Sequence, residues 1–423
     1  MPDRSIQPSI QEVSEIRLPK IHEHILDNGI PLYEVNMGTQ EVLKIEVIFN
    51  AGRPFEDQKL VSRTTAGLLR EGTVKRKASD IHEMVDFYGG SLSSPIDLDT
   101  SNIVMSCLKK HFETLLGILT EVITEPAFRK DELEIFKKNR ILTLKEDLTK
   151  NDVVAYRMVT EKIFESSHPY GYNSNEDLYN GLTQASLFSH HKKNYTAANC
   201  KIIVSGKTDS NTIALINKFL GKNVPQGTAS QNNIIATSSI PQKLKIKTPD
   251  SIQTSIRIGC RLFNRSHKDY KQFYVLDAIF GGYFGSRLMT QIREKEGFTY
   301  NVYSSLDPLL FDGYFYVGTD VGNGSVEPTI KSIYREMKKL REEPVGKEEL
   351  RMVQNYLMGF LLTTIDGAFS VAELVKMIKI QGLPETYISD LAKTIKTIKP
   401  EEIMVMANKY LREENMWEVV VGA

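Results

Sequence analysis

Residues 82–86 read HEMVD, one side chain short of HExxH. In HExxH two histidines at i and i+4 lie on one face of a helix and bind zinc, while the glutamate serves as general base. Here the second histidine is replaced by Asp86, which can also ligate zinc. The surrounding ASDIHEMVDFYGG gives the apolar face to Ile81, Met84, Val85 and Tyr88, which leaves His82 and Asp86 on the polar side. An exposed helix face is expected, not a metal site.

Four other groups invite chemistry. His22 and His24 in HEHIL would share one face of a strand, but no carboxylate or cysteine cluster follows them, so they are expected in solvent. IIVSGKTDS (202–210) resembles a phosphate-binding loop, yet the glycine required five residues before Gly206-Lys207 is Lys201, so an ordinary strand-to-helix turn is expected. GGYFGSR (281–287) fits neither GxGxxG nor GxSxG and reads as a flexible segment opening a helix, and HPYG (168–171) reads as a turn. No Ser/His/Asp or Cys/His arrangement supports nucleophilic catalysis.

These residues must be positioned by a chain of 423 residues, too long for one hydrophobic core, so two domains are expected. Lys plus Arg (53) equals Asp plus Glu (53), which argues against a nucleic-acid partner. Cys107, Cys200 and Cys260 form no CxxC pair and are expected as buried thiols in a reducing compartment. The first twenty residues have no apolar signal region, and no apolar run is long enough to span a bilayer. A cytoplasmic protein without membrane association is expected, unless a leader has been removed.

The chain repeats itself. AFRKDELEIFKKNRI from Ala127 and PVGKEELRMVQNYLM from Pro344 are each a short loop followed by an acidic helix start. HHKKNYTAANCKIIVSG and MANKYLREENMWEVVVGA each carry a helix end with Tyr (Tyr195, Tyr410), a polar loop and a β-branched strand. The polar stretch NVPQGTASQNNIIATSSIPQ divides them. The expected organisation is a domain over 1–222, a linker over 223–242 and a homologous domain over 243–423. Strands such as VLKIEVIFNAG and TSNIVMSCL alternate with amphipathic helices such as FETLLGILTEVITE. The expected class is α+β, each domain a mostly antiparallel mixed sheet covered by helices on one side.

Several stretches, in this order, resemble the insulinase and mitochondrial-processing-peptidase (pitrilysin-like) zinc metallopeptidases: LDNGIPLYEV (26–35), VIFNAGRPFED (47–57), FYGGSLSSPIDLDTS (87–101), HPYG, and FGSRLMTQIREKEGFTYNVYSS (284–305). The resemblance covers nearly the whole chain and implies the processing-peptidase-like metallohydrolase fold. That family's zinc helix is inverted, HxxEH, and stands shortly before a Gly-Thr turn. Here LVSRTTAGLLREGT (60–73) occupies the slot, with Arg63 and Gly67 at the histidine positions and Ala66 at the glutamate. Arginine has no lone pair for zinc, and Gly and Ala have no side-chain donor atom. The third ligand, a glutamate on a later helix, falls at Thr143, one turn from Glu146. The resemblance therefore implies a chain without metal or other cofactor.

Catalytic members of the family use an Arg and a Tyr of the second half to hold the peptide and its oxyanion. The matching residues are Arg293 and Tyr300 in REKEGFTY. Arg supplies a fork of donors and Tyr a single one. The resemblance thus implies a non-catalytic, substrate-binding subunit of a heteromeric zinc metallopeptidase. Its partner would be a homologous HxxEH-bearing chain, with a homodimer in isolation, and its substrate a peptide added as a strand to an N-terminal sheet edge. The alternative is a structural or interaction subunit with no part in proteolysis.

Overall fold

The computed structural model describes residues 16, 18–249 and 251–422. The reading of the first twenty residues therefore falls largely outside the described residues. Two sheets organise the chain. The first contains β1 (His22–Ile25), β2 (Pro31–Asn36), β3 (Val42–Phe49), β4 (Ser91–Ser93), β5 (Ser101–Leu108) and β6 (Cys200–Gly206), in the order β1-β2-β6-β3-β5-β4. The second contains β7 (Lys243–Lys247), β8 (Gln253–Leu262), β9 (Val302–Pro308), β10 (Gly313–Gly322) and β11 (Trp417–Gly422), in the order β7-β11-β8-β10-β9.

Without β1 the two orders are the same. In each sheet the first and last strands of the half pair in parallel, β2 with β6 and β7 with β11. The next three pairings are antiparallel in both. The repeated acidic helix starts open helices at equivalent places, Lys130–Asp147 and Lys347–Thr363. Their first turns carry Asp131 and Glu132, and Glu348 and Glu349, near the positive end of the helix dipole.

The sheets are covered on both faces, not on one as expected. One face of each packs against helices of its own half. Val326–Glu342, for example, buries Ile330, Ile333, Met337 and Leu340 at helical spacing. The opposite face is covered by a helix from the other half. In Asn151–Phe164, residues Ala155, Val159 and Ile163 lie on the second sheet with Tyr314, Tyr316, Trp417, Val419 and Val421. In Ala368–Ile380, residues Val371, Ala372 and Val375 lie on the first sheet with Tyr33, Val35, Ile48 and Ile203. Fully burying one such Val or Ile contributes about 1.5–3 kcal/mol. Burial on both faces explains why VLKIEVIF of β3 is almost continuously apolar.

Ion pairs accompany the second exchange: Lys376 Nζ lies 3.1 Å from Glu46 and Lys44 Nζ 2.6 Å from Glu373. Residues 225–242 lie in no helix or strand but are pinned from both sides. Ser230 Oγ donates to Asn194 Oδ1 (2.6 Å), Asn233 N to the Pro54 carbonyl (2.6 Å), and Trp417 Nε1 to Ser239 Oγ (3.2 Å). No single described helix is long and apolar enough to cross a membrane.

Candidate functional site

The zinc-helix slot is the helix Val61–Leu68. It begins after Leu60, held at a left-handed φ of 70° with its N–H donated to the Tyr172 hydroxyl at 3.2 Å. Buried Glu56 anchors the first turn. Its Oε1 accepts from Ser62 N (2.9 Å) and Ser62 Oγ (2.6 Å), and its Oε2 accepts from the Tyr172 hydroxyl (2.7 Å). Burial raises the Glu56 carboxyl above its ordinary range, and the bonds from Ser62 and Tyr172 oppose that rise.

On this helix Arg63 is half-buried and Ala66 is buried. A Cβ on Gly67 would meet Phe136 Cε2 at 2.7 Å, so a side chain there would require this half-buried ring from the helix Lys130–Asp147 to move. Thr143, at the third-ligand position, is exposed and donates to the Asn139 carbonyl of its own helix (3.0 Å). Glu146 lies in solvent beside Lys150 (3.2 Å). Among the described residues no group of three or more His, Cys, Asp or Glu side chains is placed to hold a metal. The residues present do not fit a zinc ion.

His82 and Asp86 are exposed on the helix Ala78–Phe87. On strand β1 His22 is exposed, as expected, and His24 is half-exposed, but both reach a carboxylate. Strand pairing sets His22 opposite Glu34 of β2, whose Oε2 lies 2.9 Å from His24 Nε2 and 3.6 Å from His22 Nδ1. That carboxylate was invisible to a local reading because it arrives through β1–β2 pairing. Gly206, at φ 118°, has no room for a side chain, since a Cβ would meet the Val42 carbonyl at 2.1 Å. It turns the chain into the helix Ser210–Ile216, capped by Asp209.

Arg293 and Tyr300 come together. Arg293 lies in the π-helical segment Met289–Lys295, which Met289 and Ile292 anchor in the core. Its guanidinium carbon sits 4.7 Å from the Phe284 ring centroid and 5.1 Å from that of Tyr300. Phe284 is 64% exposed and Tyr300 86% exposed. Thr299 fixes the turn before Tyr300, its Oγ1 donating to the Asp320 carbonyl (2.7 Å). The described residues accept no hydrogen bond from the Arg293 guanidinium. Both side chains therefore present free donors on a platform shaped by cation–π packing. On the first sheet, short β4 forms one edge, so one side of its backbone faces no strand.

Sequence reading missed the surroundings of Arg63, on which the charges of Arg53 and Arg140 bear. No local signal joins these residues, because they come from three separate segments.

A duplicated, helix-exchanged pair of mixed sheets with a donor-free slot where a zinc helix would stand defines a metallopeptidase architecture stripped of its metal ligands. Family models agree: "Insulinase (Peptidase family M16)" matches residues 36–169 and "Peptidase M16 inactive domain" matches residues 181–357. The chain belongs to the M16 peptidase family. It is 24% identical to an uncharacterized zinc protease of Rickettsia felis, over 91% of this chain and 93% of that one. It is 21% identical to the probable inactive metalloprotease YmfF of Bacillus subtilis, over 88% of this chain and 92% of that one. A crystal structure of a peptidase M16 inactive domain from Pseudomonas fluorescens matches with a TM-score of 0.88 at 22% identity, covering 96% of this chain and 98% of that one. Slot chemistry and family together support an inactive M16-family chain.

Proposed function

We propose that this chain is the non-catalytic, substrate-binding subunit of a heteromeric zinc metallopeptidase, paired with a homologous chain that carries HxxEH. The observation that carries the reading is the exposed Arg293–Tyr300 pair of the second half, whose donors are free, in a chain whose zinc slot has no donor atoms. A chain serving only as packing gains nothing from an 86% exposed tyrosine stacked on an unpaired arginine. The peptide would lie along the β4 edge, where main-chain hydrogen bonds give affinity with little dependence on sequence. The partner would supply zinc and the general base, and Arg293 and Tyr300 would hold the substrate and the developing oxyanion.

The test is reconstitution. The chain is purified alone and together with an HxxEH-bearing M16 partner, and hydrolysis of a quenched peptide is measured. Turnover only in the mixture is expected. A partner equally active without this chain overturns the reading in favour of a structural subunit.

A further inference from the structure

A cleft in the second half is lined by neither the zinc slot nor the Arg293–Tyr300 platform. The helices Lys347–Thr363 and Ala368–Ile380 are bent by 106° at the short break between them. Gly367 at φ 85°, a left-handed conformation open mainly to glycine, leads into the second of them. The helices Tyr270–Phe280 and Tyr387–Thr397 pack against Lys347–Thr363 and against each other. Together they leave a cleft of about 440 Å³, at the smaller end of the size range of small-molecule sites. Leu361, Leu374, Met377, Ile388 and Leu391 form its apolar wall.

Two other lining residues, Arg265 and Tyr387, carry polar atoms without partners. Tyr387 is 2% exposed, and its hydroxyl makes no hydrogen bond. Arg265 is half-buried, and its Nε is buried with no acceptor. Its Nη1 donates to the Tyr270 hydroxyl (2.6 Å), and its guanidinium carbon lies 5.4 Å from that ring's centroid. Burial raises the Tyr387 pKa and nearby Arg265 opposes the rise, yet no hydrogen bond joins the two. Thr363 and Thr364, also in the lining, donate to carbonyls of the preceding turn (2.7 and 2.6 Å). The one carboxylate of the lining, Glu373, is held by Lys44 (2.6 Å) and Lys376. Among the described residues no carboxylate pairs with Arg265.

A buried donor left without an acceptor is destabilising. One carboxylate answers both donors, because its two oxygens accept from the Arg265 Nε and from the Tyr387 hydroxyl in charge-assisted bonds. An aliphatic chain attached to it would cover the apolar wall. We propose that this cleft binds an aliphatic monocarboxylate, a free fatty acid of medium chain length, with its carboxylate on Arg265 and Tyr387. Binding requires neither a partner chain nor a peptide. The occupant would brace the elbow from which Ala368–Ile380 reaches the first sheet, since Leu374 and Met377 of that helix also pack on the second half's core.

Isothermal titration calorimetry of the full chain, below micelle concentrations, with decanoate, decanol and decyltrimethylammonium reads the head-group preference. Decanoate is expected to bind at one per chain, about tenfold tighter or more than decanol, and the cation not at all. Hexanoate should bind more weakly than decanoate, because it covers less of the wall. Arg265→Gln should bring decanoate down to the affinity of decanol. Tyr387→Phe should weaken decanoate severalfold while leaving the free chain's melting temperature unchanged or higher, since it removes an unpartnered hydroxyl. That pairing separates a lost ligand contact from a lost fold. If Arg265→Gln does not fold, Tyr387→Phe and the acid-against-alcohol comparison on the parent chain carry the test.

Equal binding of acid and alcohol, or no binding of any probe, would overturn the proposal. So would several decanoates per chain with no effect of Arg265→Gln, which is adsorption to the surface. Tighter binding of a leucine-terminated peptide with a free C-terminus than of decanoate would assign the cleft to a peptide end and overturn the fatty-acid assignment.

Discussion

Phe136 occupies the volume that a side chain on Gly67 would need, with Cε2 2.7 Å from the position of a Cβ. A histidine at 67 would therefore have to turn the half-buried Phe136 ring aside, and the donor atoms of a zinc site are missing as well. The ring belongs to the helix that carries Thr143, so the helix in the zinc slot and the helix of the third-ligand position are in contact.

It follows that writing the motif back will not restore the metal. Arg63→His, Ala66→Glu and Gly67→His in one chain should bind no stoichiometric zinc and should melt lower. Forcing side chains into a filled space costs typically about 1–3 kcal/mol. Metal analysis after mild chelation, with a thermal melt alongside, gives the answer. One tightly held zinc in the triple variant, with an unchanged melt, would refute the packing argument.

The exchanged helices make a second prediction. Asn151–Phe164 lies on the second sheet and Ala368–Ile380 on the first, so each half holds the other. Limited proteolysis should cut the exposed segment around Gly227–Asn232. The nicked chain should still elute as one particle, because the cut severs neither exchanged helix. Fragments that separate on a sizing column without denaturant would show that the exchange contributes little.

Much of this architecture was legible in the sequence. The paired RKDEL and GKEEL starts are equivalent helices, and KIIVSG and EVVVGA are β6 and β11, the matching strands of the two sheets. Periodicity reports which face of an element is apolar, not what covers it. Ala155, Val159 and Ile163 look like any amphipathic stripe, and nothing nearby states that their sheet begins ninety residues later, at Lys243. The same limit applied at the site. Arg63 was visible as a residue unable to bind zinc, but its arginine neighbours are assembled by tertiary packing. Arg293 and Tyr300 are legible only through a family pattern, and the second ring beside Arg293, Phe284, lies in GGYFGSR, which by itself reads as a flexible segment.

Buried ionisable groups set opposing pH dependences. Burial raises Asp277 from 3.8 to about 7, against a bond from Ser304, and raises Asp99 to about 6, against bonds from Tyr170 and Leu310. Burial pushes His190 and His191 down from 6.5 to about 4. The folded aspartates hold protons that the unfolded chain has released, so their contribution is full below pH 3.8 and is lost as pH rises through about 6 and 7. The histidines act the other way, contributing fully above pH 6.5 and losing that contribution as pH falls towards about 4. Asp277→Asn should therefore match the parent near pH 4 and exceed it increasingly towards pH 8, by roughly 4 kcal/mol at most. Urea unfolding across that range measures the difference, and a gap that does not widen with pH would count against Asp277 as its source.

The surviving donors carry the last prediction. In the mixed complex, Arg293→Ala and Tyr300→Phe should each lower turnover while leaving assembly intact. Tyr300→Phe is the sharper variant. It keeps the aromatic face on which Arg293 rests, 5.1 Å from guanidinium carbon to ring centroid, and removes only the hydroxyl. A donor aimed at the developing oxyanion acts mainly in the transition state, and removing one costs about 2.7–4 kcal/mol, or roughly a hundred- to a thousandfold in kcat. A solvated surface group away from the reaction would change stability by roughly 0.5 kcal/mol or less and leave the rate alone. These outcomes differ by orders of magnitude. The assay needs a quenched peptide, the HxxEH-bearing partner and a size measurement to show that the pair still forms. Unchanged turnover in both variants, with the pair intact, would leave the exposed Arg–Tyr platform without a catalytic role and favour a structural subunit.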